Sequence, residues 1–458
     1  MKTTIGQCLQ QAQVDPKDVI GIGFTGTSCT VAPVNSRGEP LRPAIMWMDT
    51  RAYQEAQQIT ALRHPSVLQA GGQVSAEWLL PKAMWIKKNE PQVWQRTYKL
   101  VEGPDYLIWK LSGQWTAGSS SAVGKRHWVR SLGGWPLDMY ERLGMPEMAE
   151  RNADSVSFAG EPAAQLSRQG AEELGLLPGI VLTNCGPDGY AAMVGMDALS
   201  EKKIGLIVGS SNVVLIAIPH EVRIPGMWGP WLDLMEPGRW MLEGGQLATG
   251  SILRWFVSQF GGLARQEAAA ANKSVYAWLD QQAEAIPPGS GGLIVLDYWR
   301  GNRTPYNDAE ATGVIWGLTL GHSLAHVYRA ILEGTAFGAA HTVLEFRKVG
   351  LSPERIVACG GGTKSNLWMQ IYADACNLPI QLVQVQNAVA FGAAVCTAVA
   401  AQRFDSLQEA ATQMVKVGKT IEPRGEVSEL YRKLIDHYIR TYEVLKNQMH
   451  EMAHLQGK

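Results

Sequence analysis

The chain has 458 residues, a formal net charge of −1, and 46% hydrophobic against 18% charged residues, the balance of a globular protein with a large core rather than a disordered one. The near-zero charge gives no electrostatic footprint for a nucleic-acid backbone, whose binding rests on clustered Lys and Arg. Six cysteines lie scattered with no CxxC pair and no His at ligand spacing, which predicts reduced thiols in a cytoplasmic protein and no structural metal site.

The start, Met1-Lys2-Thr3-Thr4, lacks the apolar run of a signal peptide. Residues 4–13 read as a short helix stopped at Asp15-Pro16. Val19 to Gly23 and Thr30 to Val34 read as strands, and Asn35-Ser36-Arg37-Gly38 as a turn. Residues 52–63 and 76–89 read as helices, and Asp105 to Leu111 carries apolar residues at helical spacing. A strand at Ile180 to Leu182 runs into the loop Asn184-Cys185-Gly186-Pro187-Asp188-Gly189, with a helix from Tyr190 to Met196 after it. Lys203 to Val208 and Val213 to Ile218 read as the strands of a hairpin around Gly209-Ser210-Ser211; the polar turn and short runs exclude a membrane span there. Glu243-Gly244-Gly245-Gln246 leads to a helix over 249–260. Residues 323–347 predict a long helix. Arg355 to Ala358 is a strand ending in Gly360-Gly361-Gly362, with a helix from Ser365 to Ala375. A strand at Pro379 to Val383, a small-residue helix at Ala388 to Ala401 and an amphipathic helix over 425–448 complete the chain. Strands alternate with helices throughout, so the fold class is α/β, with a boundary between Met196 and Lys203.

Gly21-Ile22-Gly23-Phe24-Thr25-Gly26 spells GxGxxG, but β-branched residues follow where a dinucleotide site needs a helix. Gly209-Ser210-Ser211 reads as a plain hairpin turn or as backbone N–H groups and hydroxyls facing a phosphate. Three glycines in a row at 360–362 cost backbone entropy, which points to close approach of a ligand. Asp188 reads as an Asx-turn or helix cap, or as a general base for a hydroxyl proton.

These pieces, in this order, resemble the FGGY carbohydrate kinases. The resemblance is carried by the hairpin around Gly209, by Asp188 in Gly-Pro-Asp-Gly, and by Gly360-Gly361-Gly362 with Ser365, Asn366, Met369 and Asp374. Phe391-Gly392-Ala393-Ala394 and Trp47-Met48-Asp49-Thr50-Arg51 add to it. Within the family, Phe24 to Thr30 and Glu243 to Gly250 are similar to ribulokinases.

The resemblance implies two ribonuclease-H-like (actin-like ATPase) domains around a cleft. They would be an N-terminal sugar-binding domain over 1–198 and a C-terminal ATP-binding domain over 199–402, followed by a helical extension over 403–458. It implies ATP-dependent phosphorylation of a sugar or polyol hydroxyl, with Mg2+, on a ketopentose such as ribulose. Asp188 would be the base. Thr27, Ser28, Asp49, Lys125 and Gln246 would bind sugar; Gly209, Ser210, Ser211, Gly361, Gly362 and Asn366 would bind ATP. Lys125 reads equally as part of a solvated basic cluster, Gly124-Lys125-Arg126-His127-Trp128. No residue is assigned as a metal ligand, and the partners expected are a small sugar or polyol, with neither nucleic acid nor membrane. A C-terminal amphipathic helix permits a homodimer. The family opens with an Asp-Gly-Thr hairpin, and this sequence starts at the helix after it. The first domain is therefore expected to lack its N-terminal strands, one phosphate clamp and a metal ligand, and the alternative is an inactive remnant that binds sugar or nucleotide.

Overall fold

A computed structural model describes residues 1–455. Its first half is built on a three-stranded sheet: β1 (Gly21–Gly26), β2 (Ala164–Gln165) and β3 (Val181–Pro187). β3 is central, parallel to β1 and antiparallel to β2, and β1 forms an edge. The strand runs on through the predicted loop at 184–187. Gly186 adopts φ 75°, and the register slips between Phe24 and Gly26; a bulge at a glycine thus bends the strand where Asp188 must emerge. Among the helices of this half, α1 (Leu79–Asn89), α2 (Gly103–Ser112) and α3 (Ser119–Arg126) carry Lys82, Asp105 and Lys125. The helix α4 (Asp188–Gly195) follows β3 directly.

The second half holds a seven-stranded mixed sheet. Its strands are β4 (Lys203–Val208), β5 (Asn212–Ile218), β6 (Trp228–Leu232), β7 (Trp240–Gln246), β8 (Arg355–Cys359), β9 (Ile380–Val383) and β10 (Val417–Ile421). β4 and β5 pair as the predicted hairpin, and β8 lies parallel to β4. Residues 243–246 are the end of β7, antiparallel to β5, and the predicted helix follows them at Gly250–Phe260. The helices that position the site are α5 (Gly250–Phe260), α6 (Leu324–Lys348), α7 (Asn366–Cys376), α8 (Ala388–Ala400) and α9 (Gly425–Leu455). The last runs past its predicted end at 448.

The small residues of α8 have a packing reason. A Cβ at Gly392 would come within 1.8 Å of the Ala191 carbonyl oxygen, and one at Gly195 within 2.0 Å of that of Ala388. Only glycine lets the backbones of α4 and α8 meet so closely. α8, from the C-terminal half, thereby packs against β1, β3 and α4 of the N-terminal half. No helix among the described residues is long and apolar enough to cross a membrane.

Candidate active site

Two cavities meet at the β4–β5 turn. The first is lined by Thr27, Ser28, Lys125, Asp188 and Ser211, with Trp47, Glu77, Trp78, Tyr190, Trp228, Glu243 and Arg303. The second is lined by Gly209, Ser210, Gly361 and Gly362, with Leu253, Arg254, Tyr276, Asp280, Tyr328 and Trp368. Ser210 and Ser211 are consecutive, so one turn faces both spaces. Its position is fixed from the side: the Gly250 N–H donates to the Gly209 carbonyl at 3.1 Å, and the Ser251 N–H and hydroxyl donate to the Ser210 carbonyl at 3.1 and 2.8 Å.

Asp188 stands at the mouth of the first cavity, where β3 becomes α4. Its Oδ1 accepts the Gly189 N–H at 2.8 Å, and it does not cap the helix, whose N-cap is Pro187. Its carboxyl meets water in the cleft yet is crowded by protein. This desolvation pushes its pKa up from the ordinary value, and the charge of Glu243 pushes the same way. A carboxyl tuned upward in a cleft suits a general base.

Lys125 is buried, not solvated. Its ammonium lies 3.9, 4.7 and 5.6 Å from the ring centres of Trp228, Trp231 and Trp78 and 3.5 Å from Glu243 Oε2. Aromatic faces replace water around the charge. Glu243 also accepts the Tyr190 hydroxyl at 2.5 Å. Arg303 covers Trp228 at 4.7 Å. Indole faces, a lysine and carboxylates form a wall suited to a polyhydroxylated molecule with one polar and one apolar side.

Three expected residues line neither cavity. Gln246 is buried behind the sheet, donating to Asp297 Oδ2 at 2.5 Å and the Thr335 carbonyl at 2.8 Å. The residue that reaches the cleft from this strand is Glu243, because the two-residue period of a strand sends it to the opposite face. Asp49 is engaged by Arg51, with Nη2 to Oδ2 at 2.7 Å, and that hydrogen bond holds its carboxyl below the usual range. Asn366 faces β10, where its Oδ1 accepts from Lys419 Nζ at 3.1 Å. Tyr190, Trp228, Glu243 and Arg303 were not singled out by sequence; the signal that could have found Glu243 was strand alternation across 240–246.

Below the turn lies a second layer. Asn212, next after the turn, donates to Gln246 Oε1 at 3.1 Å and Tyr372 Oη at 2.5 Å and accepts the Thr249 hydroxyl at 3.1 Å. Asp297 accepts the Tyr438 hydroxyl at 2.6 Å as well as Gln246. Fully buried with no cation among these partners, its carboxyl is pushed up to about 6 by desolvation.

A two-domain α/β fold, with a carboxylate and a glycine-serine turn facing each other across a cleft, is that of a sugar-phosphorylating enzyme class. The sequence models of the "FGGY family of carbohydrate kinases", N-terminal and C-terminal domains, match residues 1–195 and 205–401. The chain belongs to the FGGY family of carbohydrate kinases. It is 34% identical to a ribulokinase of Geobacillus thermodenitrificans over 97% of this chain and 83% of that protein. It is 30% identical to the human FGGY carbohydrate kinase domain-containing protein, covering 94% of this chain and 85% of that one. Among solved structures, the xylulose kinase of Rhodospirillum rubrum superposes with a TM-score of 0.84 at 26% identity, covering 97% of this chain and 88% of that one.

Proposed function

We propose that this carbohydrate kinase transfers the γ-phosphoryl group of ATP to a hydroxyl of a ketopentose such as ribulose, in the cytoplasm, with Asp188 as general base. The observation that carries the reading is that Asp188 and Ser211 share one cavity while Ser210, the adjacent residue, opens onto the other. Sugar is held mainly by residues of 1–198 and nucleotide mainly by 199–402, with 403–458 as a helical extension. The similarity to ribulokinases supports the substrate class.

The Asp188 carboxylate takes the proton of the attacking hydroxyl, whose oxygen forms the new bond to the γ-phosphorus as the bond to ADP breaks. Thr27, Ser28, Lys125 and Glu243 hold the sugar so that this hydroxyl faces Asp188. Gly209, Ser210, Gly361 and Gly362 face the nucleotide. A Cβ on Gly362 would meet Val208 Cγ1 at 2.3 Å and Trp368 at 2.9 Å, whereas nothing lies within 4 Å of one on Gly361; the second cavity thus has the bare backbone and apolar wall that fit a nucleotide. Mg2+ binds phosphates with one or two carboxylates and retained waters, so it needs no preformed cluster, and none of three or more His, Cys, Asp or Glu exists among the described residues. Its chemistry there is to neutralise phosphate charge.

The test is Asp188→Asn with D- and L-ribulose and D-xylulose as acceptors. Turnover should fall by at least about 10²–10⁴-fold while sugar still quenches the cleft tryptophans. Retained turnover sinks the base assignment. Wild-type protein that binds sugar and ADP without transfer favours the inactive-remnant reading.

A further inference from the structure

Beneath the sugar-facing wall lies a buried ionic network that neither substrate is expected to touch. Its upper end is Cys29, a cavity-lining residue held at φ 63°, a left-handed conformation that a non-glycine residue adopts only when its surroundings impose it. Both backbone groups of Cys29 are gripped by buried charged side chains. Glu102 Oε1 accepts its N–H at 3.1 Å, and Lys82 Nζ donates to its carbonyl at 2.7 Å. Lys82 also donates to the Met46 carbonyl at 2.8 Å, the residue before Trp47 of the same cavity.

Lys82 is fully buried, and among the described residues no carboxylate lies within ion-pair distance of it. Burial pushes its ammonium down from the usual value. An apolar side chain would fill that space without the desolvation cost. What the ammonium adds is a fixed position for two carbonyls, one on each of the loops that carry Ser28 and Trp47.

The lower end reaches the base. Glu102 Oε2 accepts the Ser121 hydroxyl at 2.6 Å and lies 3.6 Å from Arg126, which pairs with Asp105 at 2.5 Å. Asp105 Oδ1 accepts from Asn184 Nδ2 at 2.8 Å, and Asn184 Oδ1 accepts the Gly186 N–H at 3.0 Å. Gly186 is two residues before Asp188. A chain of hydrogen bonds, bridged at one link by the 3.6 Å Glu102–Arg126 ion pair, therefore runs from the Thr27–Cys29 loop to the strand end that carries Asp188.

We propose that Lys82 and Glu102 are positioning residues for the acceptor sugar: by clamping Cys29 from both sides they set the distance between the sugar-facing loop and Asp188. This rests on the sugar-site reading above. Neither residue touches substrate, so the effect is on sugar affinity and not on the nucleotide.

The experiment measures ribulose and xylulose binding by tryptophan fluorescence, and ADP binding in parallel, for the full chain, Lys82→Met and Glu102→Gln. Binding needs no turnover, so it separates this inference from the assignment of the base. Sugar Kd should rise at least tenfold in each variant, with ADP Kd within twofold of wild type and an unchanged circular dichroism spectrum. Sugar affinity within twofold of wild type in both variants overturns the positioning role and leaves the sugar site standing. Parallel loss of sugar and ADP binding, or failure of both variants to fold, shows a structural staple only and overturns it too. If Lys82→Met alone fails to fold, Glu102→Gln decides. Wild-type protein that binds no ketopentose overturns the sugar-site reading and this inference with it.

Discussion

Each of the two facing turns rests on a buried polar network, and the two networks handle charge in opposite ways. Under the Thr27–Cys29 loop, Glu102 and Asp105 are set against Arg126, with Lys82 nearby. Burial pushes the Asp105 carboxyl up, and Arg126 pulls against that shift. Under the β4–β5 turn the network is amide and hydroxyl: Asn212, Gln246, Tyr372 and Tyr438 around the single carboxyl of Asp297. With no cation beside it, that group answers burial by holding its proton to about pH 6. A network balanced by opposite charges fails when a partner is removed; one balanced by a proton fails when the pH changes.

The sharpest break is Arg126→Met. It leaves Glu102 and Asp105 buried without their guanidinium, and stability should fall by about 3–5 kcal/mol, read from urea unfolding. A loss below about 1 kcal/mol would mean that the pair behaves like a surface one, and the contrast would collapse. Asp297→Asn tests the other side. The folded-state pKa lies above the unfolded value near 3.8, so folding favours the protonated form. Its contribution is complete below pH 4 and lost as pH rises through about 6. Wild-type stability should therefore decline relative to the variant across that window by about 3 kcal/mol, seen as a wild-type thermal midpoint that falls against that of the variant as pH rises from 4 to above 6. Parallel pH curves for the two proteins would remove the proton from the account. The smallest effect is at the cleft between the networks. Glu243→Gln removes a charge that raises the Asp188 pKa, so the acid limb of kcat/KM should move to lower pH by less than about one unit. An unmoved limb would make desolvation the only cause of that shift.

The sequence showed the framework because the framework is local. The hairpin at 203–218, the triple glycine and the long helix near 324–348 each follow from periodicity and turn chemistry within a few residues. The site was legible where it lies on turns: Thr27, Ser28, Asp188, Ser210 and Ser211 all face one of the two cavities. It was not legible where long-range pairing decides. Lys125, read equally as sugar-binding or as part of a solvated cluster with Arg126 and His127, lines the first cavity, and all three residues are buried; their neighbours Glu243, Glu102, Asp105 and Trp78 come from elsewhere in the chain. Gln246 and Glu243 were confused for a different reason, since residues 240–246 were not read as a strand and the alternation that separates them was never applied. Asn366 opens its helix on the side of Lys419, away from Gly361 and Gly362, a direction that one sequence does not contain.

The crossing of α4 and α8 has a mechanical consequence. At Gly195 and Gly392 backbone meets backbone with no side chain between, so there is nothing to compress and no rotamer to change. Sliding one helix along the other would drive carbonyls into each other. The first glycine closes the helix that begins with Asp188 and the second sits in a helix from the C-terminal half, so this crossing locks the register of the two halves directly behind Asp188.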